Sequence, residues 1–127
     1  MTAPRLTGVS PVLLVADLER SLAFYGDGLG FDCQRFGEPP DFAVVKRDDA
    51  ILLLALAAET ERLVPHWHIV EKMWNAYIRV EDVDALYAEV QARGTEIDYS
   101  IYDAPHGFRE FGVTDPDGYD IAFGQPL

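Results

Sequence analysis

Cysteine is almost absent from this chain. One residue in 127, Cys33, is a cysteine, so no intrachain disulfide can form and no Cys-rich zinc motif exists. Histidine is scarce as well, with three in all. Basic residues are few: 10 Lys and Arg stand against 22 Asp and Glu, a formal net charge of −12. That balance works against binding to nucleic acid or an anionic membrane, and it favours attraction of cationic small molecules. Long apolar runs are missing too. The longest, 50–58 (AILLLALAA), falls far short of the about 20 residues that a membrane-spanning helix needs. The N-terminal MTAPRLTG lacks the apolar stretch of a signal peptide. A reduced, cytoplasmic protein is therefore expected.

What is present is ample core material and a repeated pattern. Apolar residues make up 49% of the chain, and its length suits a single domain over 1–127. VSPVLLV (9–15) reads as a buried strand. Asp17 then serves as a helix N-cap, and Leu18, Leu22, Tyr25 and Leu29 recur at helical spacing up to a closing Gly30. Three strands follow, at 31–36, 42–46 and 51–56. The order then recurs: a strand at 75–80, an N-cap at Asp82, a helical face of Val83, Leu86, Tyr87 and Val90, and a closing Gly94. Strands at 96–101, 108–113 and 119–123 complete it, the last two flanking the turn TDPDG. Val15 aligns with Val80, and Asp17 with Asp82. The expected fold class is α+β: two tandem βαβββ repeats (about 9–57 and 74–124, linker 58–73) forming a concave mixed β-sheet with flanking helices.

Two stretches, VADLERSLAFYGDGLGF and FGVTDPDGYDIAF, resemble the signature segments of the vicinal oxygen chelate superfamily, which includes glyoxalase I, bleomycin resistance proteins and extradiol dioxygenases. The resemblance runs from Val9 to Phe123. It implies four metal-ligand positions, at the first and last strands of each repeat. Here they hold Ser10, then Ile51 or Leu52 depending on alignment, then Asn75, then Ala122. Zinc and non-haem iron sites want His, Cys or carboxylate ligands, so no metal and no other cofactor is expected. The pattern is closest to the metal-free, bleomycin resistance-type members, which sequester a bulky cationic antibiotic in acidic grooves between paired subunits.

A cavity without metal holds its ligand by shape, stacking and a few polar groups. Strand alternation puts Asn75, Tyr77 and Arg79 on one face, with Ser10 and Asp120 on the equivalent faces of their strands. Arg109 and Phe111 share a face of the seventh strand, and the spacing leaves open whether it turns inward. Phe42 stands at a strand entrance after EPPD. Trp67 lies in a polar linker, where a large aromatic needs a surface to cover. Trp74, Phe36, Tyr99 and Tyr102 join the aromatic pool, most of it expected in the core. Ser10, Phe42, Trp67, Asn75, Tyr77, Arg79, Arg109, Phe111 and Asp120 are thus the candidate ligand-binding residues, and none is assigned a catalytic role.

PHWH (65–68) invites a metal reading, because in an extended segment His66 and His68 point the same way. It lies in the linker, away from the four ligand positions, with only His106 and carboxylates to complete a site. A hydrogen-bonded linker or a cavity rim, with Trp67 as the lid or wall, is expected instead. The functional expectation is a homodimer that sequesters an aromatic or cationic small molecule. The alternative is a lyase, isomerase or dioxygenase-like enzyme of the same superfamily, with non-standard metal ligands or metal-free acid/base catalysis.

Overall fold

A computed structural model describes residues 3–127, and all statements below concern those residues. The first repeat comprises β1 (Val12–Val15), α1 (Leu18–Ala23), β2 (Asp32–Phe36), β3 (Phe42–Arg47) and β4 (Ala50–Leu56). The second comprises β5 (Ala76–Arg79), α2 (Val83–Ala92), β6 (Ile97–Asp103), β7 (Phe108–Thr114) and β8 (Asp120–Pro126). Each repeat folds into its own four-stranded sheet, ordered β1-β4-β3-β2 and β5-β8-β7-β6. The outer pairs β1–β4 and β5–β8 are parallel, and the rest are antiparallel.

Local chemistry sets the element ends. Asp17 accepts the Arg20 N–H and Asp82 accepts the Ala85 N–H, so both helices start on a carboxylate cap. Both closing glycines, Gly30 and Gly94, adopt positive φ, which side chains rarely tolerate. The first helix departs from the expected single run: after Ala23 it widens into a π-helical turn, Phe24–Gly28, across the sequence FYGDG. Tyr25 and Leu29 stay buried through that turn.

One hydrophobic core joins the repeats. It collects the helix-facing residues of both sheets, among them Leu13, Val45, Leu54, Phe111, Val113 and Ile121, together with α1 and α2. Polar ties cross the seam. Tyr25 donates to Asp115 at 2.7 Å, Tyr119 donates to the Leu14 carbonyl at 2.6 Å, and Arg47 holds Glu89 through two contacts of 2.7 and 2.8 Å. Burial lifts the Asp115 carboxyl to about 6, against the opposing pull of its Tyr25 and backbone hydrogen bonds. With the helix sides sharing a core, each sheet turns its other face outward. No described helix is long and apolar enough to cross a membrane.

Candidate functional site

The outer face of the second sheet carries a built arrangement of rings. On β5, Tyr77 points away from α2 and pairs in register with Ala122 of β8. On β7, Glu110 and Gly112 share that face, opposite Gly124 and Ala122. On β6, Tyr99 pairs with Gly112. A Cβ on Gly124 would strike the Tyr77 hydroxyl, and one on Gly112 would strike the Tyr99 ring. The two phenols therefore lie directly over two glycines, which is why no larger residue fits at either position.

Their hydroxyls converge on one carboxylate. Glu110 is 1% exposed. Its Oε1 accepts from Tyr77 at 3.0 Å and from His106 Nε2 at 2.8 Å, and its Oε2 accepts from Tyr99 at 2.6 Å. A buried carboxylate is costly unless it is fully hydrogen-bonded, and these three donors meet that demand. Burial, followed by the Glu110 hydrogen bond, pushes both phenols well above the usual tyrosine range, so both remain donors. The Trp74 indole donates to the Tyr99 hydroxyl at 3.0 Å, and its ring lies 4.8 Å from Tyr77 and 5.8 Å from His106. Phe108 adds an edge-on contact to Tyr77 at 5.7 Å. The result is an aromatic floor over a buried carboxylate, suited to planar and cationic groups.

The structure sorts the residues nominated from sequence. Tyr77 is in the floor. Asp120 opens β8 on the same face, 7% exposed, with Oδ1 lacking any hydrogen-bond partner. Asn75 precedes β5, and its side-chain oxygen accepts the His66 N–H at 3.0 Å, which ties down the linker. Ser10 lies ahead of β1 instead of within it. Phe42 sits on the outer face of the first sheet, 6.1 Å from Phe36. Arg79, at the end of β5, lines a cavity of about 470 Å³ at the seam, together with Phe31, Arg47 and Phe123.

Arg109 and Phe111 face the helix. Phe111 is fully buried, stacks on Phe123 at 5.3 Å and lies 5.0 Å from Tyr87. Arg109 pairs with Asp84 of α2 at 3.1 Å and with Asp103 at 3.0 Å. Alternation explains this placement: because Glu110 and Gly112 point outward, their neighbours cannot. The two tryptophans take different positions. Trp74 stands over the floor, whereas the Trp67 indole is anchored to the Gly118 carbonyl at 2.6 Å. Residues His66–His68 form a 3-10 turn, not an extended run. At about 120° per residue the two histidines diverge, and His66 Nδ1 engages the Trp74 carbonyl at 2.9 Å.

Sequence reasoning did not single out Glu110, His106, Gly112 or Gly124 as a unit. A signal existed: two glycines inside strand patterns mark close approach of another group. The donor set does not fit a metal. The ligand positions of the resembled superfamily hold Ser10, an aliphatic residue, Asn75 and Ala122, and no group of three or more His, Cys, Asp or Glu among the described residues is placed to hold an ion.

Comparison with known proteins gives the context. A family model of the Glyoxalase/Bleomycin resistance protein/Dioxygenase superfamily matches residues 8–123. An uncharacterized protein of Mycolicibacterium smegmatis is 33% identical over 116 residues, covering 91% of this chain and 90% of the relative. Among solved structures, a bleomycin-binding protein from bleomycin-producing Streptomyces verticillus, complexed with copper(II)-bleomycin, is similar with 29% identity and a TM-score of 0.75, covering 98% of this chain and 100% of the other. A glyoxalase-related enzyme from Clostridium phytofermentans shares the fold, with 18% identity, a TM-score of 0.77 and full coverage of both chains (100% each).

Proposed function

The chain belongs to the glyoxalase/bleomycin resistance protein/dioxygenase superfamily, and from that premise we propose that it is a metal-free small-molecule-binding protein that sequesters a planar aromatic or cationic compound. The Glu110-centred floor carries this reading. A carboxylate buried to 1% exposure beneath two phenols and an imidazole is an expensive arrangement, and a cation seated on the rings makes use of it. The similar bleomycin-binding protein supports a small-molecule ligand. The overall charge of −12 attracts cations toward the site.

The ligand cavity is completed by a second copy. The outer face of the first sheet leaves Val12, Leu14 and Phe36 at 58%, 49% and 43% exposure, an apolar wall with no partner in its own chain. Set against the floor of another copy, it closes a homodimeric cavity with one apolar and one aromatic side. The donor chemistry at Ser10, Asn75 and Ala122 supports a site without metal. A second reading, an enzyme using metal-free acid/base catalysis, draws on His106, whose imidazole is backed by Glu110 and 44% exposed.

Titration of acridinium dyes and metal-free bleomycin, followed by tryptophan fluorescence, tests the proposal. Saturable quenching that weakens in Tyr77→Phe and disappears in Trp74→Leu is the expected result. No response from the wild-type protein to any of these compounds overturns it. Chemical change of a bound compound, lost in His106→Ala, would favour the enzyme.

A further inference from the structure

The two repeats meet at two equivalent seams, and the chain's own side chains close one of them more fully than the other. With Val15 matched to Val80, Val12 matches Tyr77 and Leu14 matches Arg79. Val12 pairs with Leu53 and Tyr77 with Ala122, so those two partners are equivalent. Three residues earlier stand Ala50 at the start of β4 and Tyr119 just before β8. The hairpin turns correspond as well. Val45 and Val113 hold matching places on β3 and β7, so Arg47 answers to Asp115 two residues on.

Where the β7–β8 turn meets the first repeat, side chains close the gap. Tyr119 is 5% exposed, and its hydroxyl reaches across to the Leu14 carbonyl at 2.6 Å. Asp115 accepts from Tyr25 at 2.7 Å, and Asp117 accepts the Ala16 N–H at 3.1 Å. Where the β3–β4 turn meets the second repeat, the closure is thinner. Among the described residues, the hydrogen bonds that cross this seam from its turn come from Arg47 alone, to Glu89 at 2.7 and 2.8 Å. Ala50 stands where the other seam has its tyrosine, and a methyl group cannot span to Arg79. The cavity of about 470 Å³ lies here, with both Ala50 and Arg79 in its lining. Pockets of ~300–1,000 Å³ hold small ligands. Phe31, Ile78, Leu86 and Phe123 supply apolar lining. Around the Arg47–Glu89 pair the rest is acidic, with Asp48, Asp49, Glu81 and Asp82 outnumbering Arg79.

We propose that this cavity is a second small-molecule site, which takes a phenol in the place that Tyr119 fills in the sister seam. The ring packs against the apolar lining, and the hydroxyl donates to the Arg79 carbonyl, the counterpart of the Leu14 carbonyl. The acidic lining accepts a neutral or cationic substituent on the ring and repels a carboxylate. The site is separate from the ring floor, because Ile78 points to the opposite side of β5 from Tyr77. It therefore stands or falls independently of the proposed function.

Tyramine, titrated into the methyl-labelled full chain at about pH 7, is the probe. Nuclear Overhauser contacts from its ring to the methyls of Ile78 and Leu86 are the expected result. 2-Phenylethylamine, which lacks the hydroxyl, should bind about three- to tenfold more weakly. 3-(4-Hydroxyphenyl)propionate, with a carboxylate in place of the ammonium, should also bind more weakly than tyramine. Ala50→Tyr supplies the missing ring from the chain itself and should abolish the tyramine contacts at Ile78 and Leu86. The tryptophan response to acridinium dyes at the floor should persist in that variant. Ala85→Trp, at an exposed position in the cavity lining, makes the same test if the first variant fails to fold. Tyramine contacts confined to Trp74 and Tyr77, no contacts at all, or contacts at Ile78 and Leu86 that survive in a folded blocking variant overturn the seam site and leave the floor standing. Equal affinity for tyramine and 2-phenylethylamine overturns the assignment of the ligand as a phenol.

Discussion

The first repeat leaves Val12 and Leu14 half-exposed on its outer face, while the second covers the matching face with Tyr77, Tyr99 and Trp74. The contrast is sharpest position by position. Matching Val15 to Val80 puts Val12 against Tyr77 and Leu14 against Arg79. Val12 pairs across its sheet with Leu53, and Tyr77 pairs with Ala122, with Gly124 beside it. A medium residue opposite a large one has become a large ring laid over small residues. The helix-facing sides of both sheets are built alike, because each has the same task of burying apolar area. The outer faces diverge because nothing in the chain's own core constrains them. One became an apolar wall and the other a ring floor over Glu110.

The comparison breaks first at Phe111. If the helix-facing side of β7 is core, Phe111→Ala removes a fully buried ring and destabilises the protein by about 3–5 kcal/mol in denaturant unfolding. Phe42→Ala, on the half-exposed outer face of the first sheet, should cost about 1 kcal/mol. Comparable losses at the two positions would erase the distinction between inner and outer faces.

A smaller effect is expected at Glu110. Glu110→Gln keeps the shape and replaces one acceptor by an amide donor, which confronts the donors from Tyr77, Tyr99 and His106. A loss of about 1–3 kcal/mol follows. The phenols supply a more specific readout. The negative charge of Glu110 helps to hold both above the usual tyrosine range, so its neutralisation lets them ionise at lower pH, though burial still keeps them raised. Ultraviolet titration should show two tyrosines moving down in pH in the variant. An unchanged titration would mean that the carboxylate does not organise the floor.

How far the sequence reveals these features depends on the range of the interactions that decide them. Asp17 with Arg20 and Asp82 with Ala85 are contacts within one helical turn, so both helix starts can be read directly. The repeat makes the strand order legible, since one βαβββ pattern supports the other. Side-chain parity does not follow from such local signals. Alternation along β7 groups Arg109 with Phe111, and only α2, with Asp84 waiting for Arg109, decides that this group faces inward. The floor is harder still: Tyr77, Tyr99, His106 and Glu110 lie on three strands and one loop, and only the β5-β8-β7-β6 order brings them together. Trp67 in the linker and Trp74 just after it are told apart only by distant partners, the Gly118 carbonyl for one and the Tyr99 hydroxyl for the other.

The smallest effect on stability, and the most telling for assembly, is expected at Leu14. Its side chain is 49% exposed, so Leu14→Asp should change monomer stability by no more than about 0.5 kcal/mol. The same substitution places a charge in the apolar wall that a second copy is proposed to cover. It adds to a chain already at −12, so like-charge repulsion works in the same direction as desolvation. Sedimentation at micromolar concentration should show a dimer for the wild-type protein and a monomer for the variant, with the far-ultraviolet spectrum unchanged. A wild-type monomer would leave the wall without its occupant, and a dimeric variant would move the interface elsewhere. In either case the exposed face of the first repeat could no longer be the complement of the floor on the second.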